Sequence, residues 1–382
     1  MAARPAAPAP EQASPAGAPS VWLVLSDKAG DNTQAMVIAE ALPWPCEIKN
    51  IAVTERFVLG KPVVKASLHH VDPKRSDRLE PPWPDLVITV GRRMSMVALW
   101  IQEQSKGRTK VALLGAPKGQ VRRFDLAIVS EQYRYRSRPG MLRISYPLQR
   151  IDHAAIAAEA EAWRPELAHL TRPLIAVMIG GLTKEVKFDG AIATRLAREL
   201  TALAEELKGT LYLTTSRRTP ADVIAALEKN LPKSAVLHRW QAEGGRNPYR
   251  ALLGLADRFV VTSDSLSMQM EVARLGKPLA IYRLPPGSWL TAGPLSALTE
   301  GMLGSKRLPF PFLARWEQGL GAFLDWVGSL RHHRDLMAVP RRLVEDGYAV
   351  WFGDPFRLDG GSPPDELAGV VTQIVALAET QG

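Results

Sequence analysis

Twice along this chain, short apolar and β-branched runs alternate with longer stretches of helical character. In the first half the runs are Val21–Leu25 (VWLVL), Glu47–Val53, Leu86–Val90 (LVITV), Val111–Leu114 and Leu126–Val129. In the second they are Leu174–Ile179 (LIAVMI), Thr210–Thr214, Ala235–Trp240, Arg258–Thr262 (RFVVT) and Pro278–Leu284. Between them come expected helices at Thr33–Leu42, at GRRMSMVALWIQEQ from Gly91, at Asp189–Leu207 with Asp189 as its cap, after Pro220, after Asn247, and at Asp264–Leu275. Strands alternating with helices are the pattern of a parallel sheet wound with helices. The expected fold class is therefore α/β, with two Rossmann-like domains facing a cleft.

The length of 382 residues suits two such domains. Residues 1–20, rich in alanine and proline without an apolar core, read as a disordered leader rather than a signal peptide. The first domain is expected at 21–150, a helix-rich connector closed by Pro165 and Pro173 at 151–172, and the second domain at 173–308. A helical tail at 309–382, with an aromatic helix near 315–330, is expected to pack back on the domains.

A formal net charge of +9 raises nucleic acid, anionic membranes and phosphorylated small molecules as partners. The basic residues, however, are scattered in pairs (Arg92-Arg93, Arg122-Arg123, Arg217-Arg218, Arg341-Arg342), which suits phosphate sites and solvated faces better than a DNA-binding arm. Tyr133-Arg134-Tyr135-Arg136 interleaves aromatics with arginines, but without an accompanying module it reads as an exposed strand. No nucleic-acid partner is expected. The single cysteine, Cys46, excludes an internal disulfide, and a reducing, cytosolic setting follows. The longest apolar stretch, near Pro173–Leu182, falls well short of the roughly 20 residues that cross a bilayer.

Several signatures are missing. The loop after the first run has one glycine rather than G-x-G-x-x-G, which argues against a nicotinamide enzyme, and no phosphate loop of the G-x-x-x-x-G-K-[ST] type occurs. There is no H-E-x-x-H and no D-x-D pair, so no metal is expected; His332-His333 reads as a solvated face.

Ligands of wound parallel sheets bind at the carboxyl ends of strands, which makes each loop after a run a candidate. After RFVVT come Ser263, Asp264 and Ser265, opening a helix whose free N–H groups and dipole favour an anion. Asp264, Ser267 or Met268, and Glu271 fall on one face of that helix, which places Glu271 to accept hydrogen bonds from a ribose diol. After LIAVMI, Gly180 and Gly181 permit close backbone approach to a diphosphate, with Thr183 and Lys184 beside them. After Thr210–Thr214, Ser216, Arg217 and Arg218 offer a hydroxyl and two fork-shaped cations. In the first domain, Asp27 and Asp31 are candidate general bases, with Lys28, Gly30, Asn32, Gly91, Arg92 and Arg93 on the same acceptor-side edge. The plainer alternatives are caps, glycine turns and solvated charges.

The segments SDKAGDNTQAMVIAEAL, PDLVITVGRR, IGGLTKEVKFD, TTSRRTP and TSDSLSMQMEVARLGKP, in this order, resemble the Elm-type mitochondrial-fission family. Its bacterial members are treated as candidate glycosyltransferases of the GT-B kind. The last segment is also similar to the donor-site helix of GT-B enzymes such as lipid A disaccharide synthase, where the residue matching Glu271 would hold the donor ribose. The resemblance implies a GT-B-like fold and no cofactor other than a nucleotide-diphosphate sugar donor. The expected activity is metal-independent transfer to an envelope glycolipid or polysaccharide acceptor, in the cytoplasm or peripherally at the inner membrane. Two alternatives stay open: a non-catalytic adaptor recruiting a membrane-associated protein, as in plants, and a nucleotide-sugar epimerase.

Overall fold

The computed structural model describes residues 17–26, 29–54, 65–115, 121–133, 139–183, 185–242, 245–287 and 335–379. Most of the leader, Asp27, Lys28, Lys184, His332-His333 and the expected aromatic helix at 315–330 lie outside the described residues. Described residues within Met1–Ser130, Tyr135–Leu148 and Asp365–Gly382 form one compact unit; those within Glu131–Arg134 and Gln149–Pro364 form a second.

The first unit is built on a six-stranded sheet of order β2-β1-β3-β4-β5-β6. Its strands are β1 (Val21–Ser26), β2 (Cys46–Ile51), β3 (Leu86–Val90), β4 (Lys110–Leu114), β5 (Leu126–Ser130) and β6 (Met141–Ile144), paired in parallel throughout. Successive side chains of a strand point to opposite faces, and in the inner strands β1, β3, β4 and β5 both faces are buried. Leu23, Leu25, Leu86 and Ile88 pack with Ala35 and Ile38 of helix α1 (Ala29–Ala41). Trp22, Val24 and Val87 pack on the other side with Met94, Val97 and Ile101 of α2 (Gly91–Gln104). Two covered faces explain why the runs are apolar without alternation.

The second unit carries a six-stranded parallel sheet of order β12-β11-β10-β7-β8-β9. Its strands are β7 (Leu174–Met178), β8 (Thr210–Thr214), β9 (Val236–His238), β10 (Arg258–Thr262), β11 (Leu279–Tyr282) and β12 (Val350–Trp351). Helices α3 (His153–Leu167), α4 (Gly190–Leu207), α5 (Ala221–Asn230), α6 (Tyr249–Leu255), α7 (Leu266–Arg274) and α8 (Ala338–Glu345) accompany them. As expected, Asp189 caps α4, accepting the Ile192 N–H at 3.0 Å. The α4 stripe of Ile192, Ala193, Leu196, Ala197 and Leu200 is buried against Ile175 and Val177 of β7. Each fully buried Leu or Ile in such a stripe contributes about 1.5–3 kcal/mol.

Three expectations shift. The connector is part of the second unit: Ala160 and Trp163 of α3 pack against Ala251 and Leu255 of α6. Pro165 does not end that helix but lies inside its last turn, where the helix starts from an Asp152 cap. The tail divides, with α8 in the second unit and α9 (Leu367–Glu379) in the first, where Val370 and Ile374 join the α1 side of the sheet. Ahead of α9, Glu366 accepts the Ser145 and Tyr146 N–H groups at 2.9–3.0 Å. Among the described residues no helix is long and apolar enough to cross a membrane.

Both sheets reverse their winding once. From β7 the chain builds outward to β8 and β9, then returns to the other side of β7 for β10, β11 and β12; in the first sheet the reversal falls between β1 and β3. In doubly wound sheets the crevice at that reversal, beyond the carboxyl ends of the strands, is where ligands bind.

Candidate functional site

At the reversal of the second sheet, the loops after β7, β8 and β10 are tied together. The Gly180 N–H donates to Thr262 Oγ1 at 2.8 Å and the Gly181 N–H to Asp264 Oδ2 at 2.6 Å. The Gly180 carbonyl accepts the Ser216 and Thr219 hydroxyls at 2.9 and 2.5 Å, and the Leu182 N–H donates to the Arg218 carbonyl at 3.1 Å. The glycines are what allow this closure. A Cβ on Gly180 would stand 2.0 Å from Asp264 Oδ2, and one on Gly181 would stand 2.2 Å from the Arg218 carbonyl carbon. The Cβ side of each glycine therefore faces protein, a second reason for glycine besides approach to a ligand.

The polar groups divide by what they already hold. Ser263 is fully buried and its hydroxyl accepts the Leu284 N–H at 3.0 Å, so it braces the loop. Neither Ser263 nor Asp264 stands at the cap of α7: Ser265 occupies that position, and its side chain makes no cap hydrogen bond. Arg217 and Arg218 are exposed, and neither guanidinium has a hydrogen bond or ion pair to a described residue. Asp264 is 4% exposed, and its Oδ1 has no hydrogen-bond partner among the described residues. Burial pushes the Asp264 carboxyl up, against the Thr262 hydroxyl, the Gly181 N–H and the charge of Arg218. Thr183 Oγ1 and Gln269 Oε1 are likewise buried without a partner among the described residues, although Gln269 Nε2 donates to the Thr262 carbonyl at 3.0 Å. Unsatisfied buried polar atoms are rare in folded proteins, and these three lie in or beside the loops after β7 and β10.

Helix α7 turns Leu266, Gln269, Met270, Val272 and Ala273 inward; Ser267, Met268 and Glu271 lie on its less buried face. Glu271 is half-buried and engaged. Its Oε1 accepts Gln149 Nε2 at 2.6 Å, and its Oε2 accepts the hydroxyl of Tyr249, the first residue of α6. Burial raises the Glu271 carboxyl, while Tyr249, Gln149 and the charge of Arg250 oppose the rise. Burial and the Glu271 charge push the Tyr249 phenol well above its ordinary value. Sequence reasoning missed Gln149, Tyr249, Thr219 and Gln269. The helix start after Asn247 was legible, but nothing local says that its first side chain meets Glu271.

In the first unit, the residues expected on the acceptor side lie after β1 and β3, the neighbours where that sheet reverses. Gly30 and Asp31 are in the first turn of α1. Asn32 is a brace: its Oδ1 accepts the Ser26 N–H at 3.2 Å and its Nδ2 donates to the Ser26 carbonyl at 2.6 Å. Gly91 opens α2 with a φ of +78°, followed by Arg92 and Arg93. The Arg93 carbonyl meets His70 Nε2 at 3.0 Å.

Two doubly wound parallel sheets, each with polar loops at its reversal, make this a protein of two Rossmann-like α/β units. The chain belongs to the mitochondrial fission ELM1 family, which its residues 29–303 match. The mitochondrial fission protein ELM1 of Arabidopsis thaliana is 27% identical over 239 residues, covering 57% of this chain and 56% of the plant protein. The match thus spans little more than half the length of that relative. An uncharacterized protein of Rickettsia prowazekii is 24% identical over 303 residues, covering 70% of this chain and 84% of its own. Among solved structures, the catalytic domain of starch synthase IV from Arabidopsis thaliana, bound to ADP and acarbose, aligns with a TM-score of 0.48 and 10% identity. That alignment covers 95% of this chain and 99% of the other.

Proposed function

We propose that the second unit binds a nucleoside-diphosphate sugar at its sheet reversal, and that the protein transfers the sugar to an acceptor hydroxyl without a metal. One observation carries this reading: two exposed arginines, with no hydrogen bond or ion pair to a described residue, stand on a loop tied to the start of a helix whose cap residue makes no side-chain cap hydrogen bond. Arg217, Arg218 and the first turn of α7 are the groups that would hold the diphosphate, with Glu271 on the ribose. Gly180, Gly181, Thr183, Lys184, Ser216, Ser263, Asp264, Ser265, Ser267 and Met268 surround that position in sequence. In transfer, the acceptor oxygen forms a bond to the anomeric carbon as the bond to the diphosphate oxygen breaks. The acceptor proton goes to a carboxylate, for which Asp27 and Asp31 are the candidates in the first unit. The arginines and helix end would stabilise the departing charge.

The acceptor we favour is an envelope glycolipid or polysaccharide, reached from the cytoplasmic side of the inner membrane. Calorimetric titration with UDP-, GDP- and CMP-linked sugars tests the donor half. Binding weakened by Arg218→Ala and Glu271→Ala supports it; no binding to any of them overturns it. The plant relative is named a mitochondrial fission protein, which favours a second reading. In that reading the protein acts as an adaptor for a membrane-associated partner, and no product forms when a bound donor is incubated with envelope extracts.

A further inference from the structure

We propose that Tyr249 and Gln149 are positioning residues for ribose recognition, holding the Glu271 carboxylate oriented so that both of its oxygens accept a sugar diol. This rests on the donor-site reading above and adds to it the means by which Glu271 keeps its acceptor state.

The geometry is specific. Each Glu271 oxygen accepts one hydrogen bond, Oε1 from Gln149 and Oε2 from Tyr249, although Gln149 is 122 residues away in sequence and Tyr249 is 22 away. A carboxylate has about four lone-pair sites, so two protein donors leave a site on each oxygen. Two donors on two different oxygens also fix the carboxylate plane, which a single contact would leave free to rotate. Tyr249 is anchored: it opens α6 with its N–H on Asn247 Oδ1 at 3.0 Å, and α6 is packed on α3 through Ala251 and Leu255.

Burial is what these donors oppose. Glu271 is half-buried, and burial favours its neutral form. The opposing groups are the Tyr249 hydroxyl, the Gln149 amide and the Arg250 charge, in that order. On α7 itself, Arg274 donates to the Pro363 carbonyl at 3.2 Å. Tyr249 stays a donor at physiological pH, because its phenol is held well above its ordinary value. Removing that hydroxyl leaves burial less opposed, so Glu271 takes up a proton at higher pH. A protonated glutamate presents one donor and fewer acceptor sites to the ribose.

The test compares UDP and GDP with their 2′,3′-dideoxy analogues, titrated against wild type, Tyr249→Phe and Gln149→Leu from about pH 5 to about pH 8. Wild type is expected to favour the ribose forms by roughly tenfold near pH 8 and to lose part of that preference in acid, where its raised carboxyl takes up a proton. Tyr249→Phe should keep that preference near pH 8 and lose it at a higher pH than wild type does, with dideoxy affinity unchanged. Gln149→Leu should move the same way, less far, which provides a second reading if the tyrosine variant folds poorly. Variants whose preference follows the wild-type pH profile overturn the proposal and leave the Glu271–ribose reading standing. A wild type that binds both diphosphates but ignores the ribose, or binds neither, overturns the underlying reading and this one with it.

Discussion

Asp264 Oδ2 accepts the Gly181 N–H at 2.6 Å while Asp264 Oδ1, in the same buried carboxyl, has no partner among the described residues. One oxygen locks the loop after β7 to the loop after β10; the other keeps a polar atom unsatisfied at the sheet reversal. A buried polar atom left without a partner costs stability.

Asp264→Asn separates these effects. Asparagine keeps an acceptor for Gly181 and removes the buried charge. The Asp264 pKa is raised in the fold, chiefly by burial, so its stabilising contribution is complete below the usual carboxylate range and is lost as pH rises through the raised value. The variant should therefore be more stable than wild type at neutral pH, within the ~0.5–2 kcal/mol typical of single stabilising changes. The difference should vanish as pH falls to the usual carboxylate range. Thermal melts of both proteins as a function of pH check this; a gap that widens in acid has the wrong sign.

The two glycines are expected to differ under substitution. Alanine at Gly180 would meet the Asp264 carboxyl, whose side chain can turn aside. Alanine at Gly181 would meet the main chain of Arg218, with 2.2 Å to its carbonyl carbon. Relief then requires moving the whole turn that carries both arginines. Gly181→Ala should lose about 1–3 kcal/mol, the range of an overpacked interior, and should weaken diphosphate binding beyond Gly180→Ala. Denaturant melts and UDP titrations on both variants measure the two effects.

Arg217 and Arg218 invert that pattern. Their guanidiniums make no hydrogen bond or ion pair to a described residue, so alanine at either position removes no ion pair seen in the fold, although at Arg218 it also removes a charge that favours the Asp264 carboxylate. Melting temperatures should stay within a degree or two of wild type, in line with surface substitutions of about ±0.5 kcal/mol. Diphosphate affinity should fall roughly tenfold per arginine, the scale of a charge-assisted hydrogen bond, with a weaker salt dependence. A variant that melts early but binds normally would mean the arginines serve the fold instead.

How far this was legible in the sequence follows from what each feature depends on. RFVVT is apolar because both faces of β10 are covered, so composition alone delimits Arg258–Thr262 correctly. The Asp189 cap is local chemistry and is found where the residue type predicts it. Strand β6, Met141–Ile144, was not foreseen: it is an edge strand and mostly half-exposed, so it needs no apolar run. Strand β12 is two residues long and owes its identity to pairing with β11. The three loops of the site were readable from strand ends and residue types. The contacts of Gly180 with Asp264, of Gly181 with Arg218, and of Tyr249 with Glu271 were not, because they are set by which strands become neighbours.

Gly254 links the helix packing to the site. A Cβ there would lie 2.8 Å from the Ala160 Cβ and 3.3 Å from Ile156 Cγ2, so glycine lets α6 cross α3 closely. Helix α6 begins at Tyr249, which holds Glu271. Gly254→Val should push the two helices apart and destabilise the second unit by about 1–3 kcal/mol. It should also draw the Tyr249 hydroxyl from Glu271, so the variant should lose ribose preference at low pH as Tyr249→Phe does, although it touches no ligand. Gly254→Ala, with one methyl against Ala160, should show both effects in smaller measure. Melts together with UDP and dideoxy-UDP titrations distinguish the outcomes: lost stability with intact ribose preference would mean that α6 can shift without moving the tyrosine.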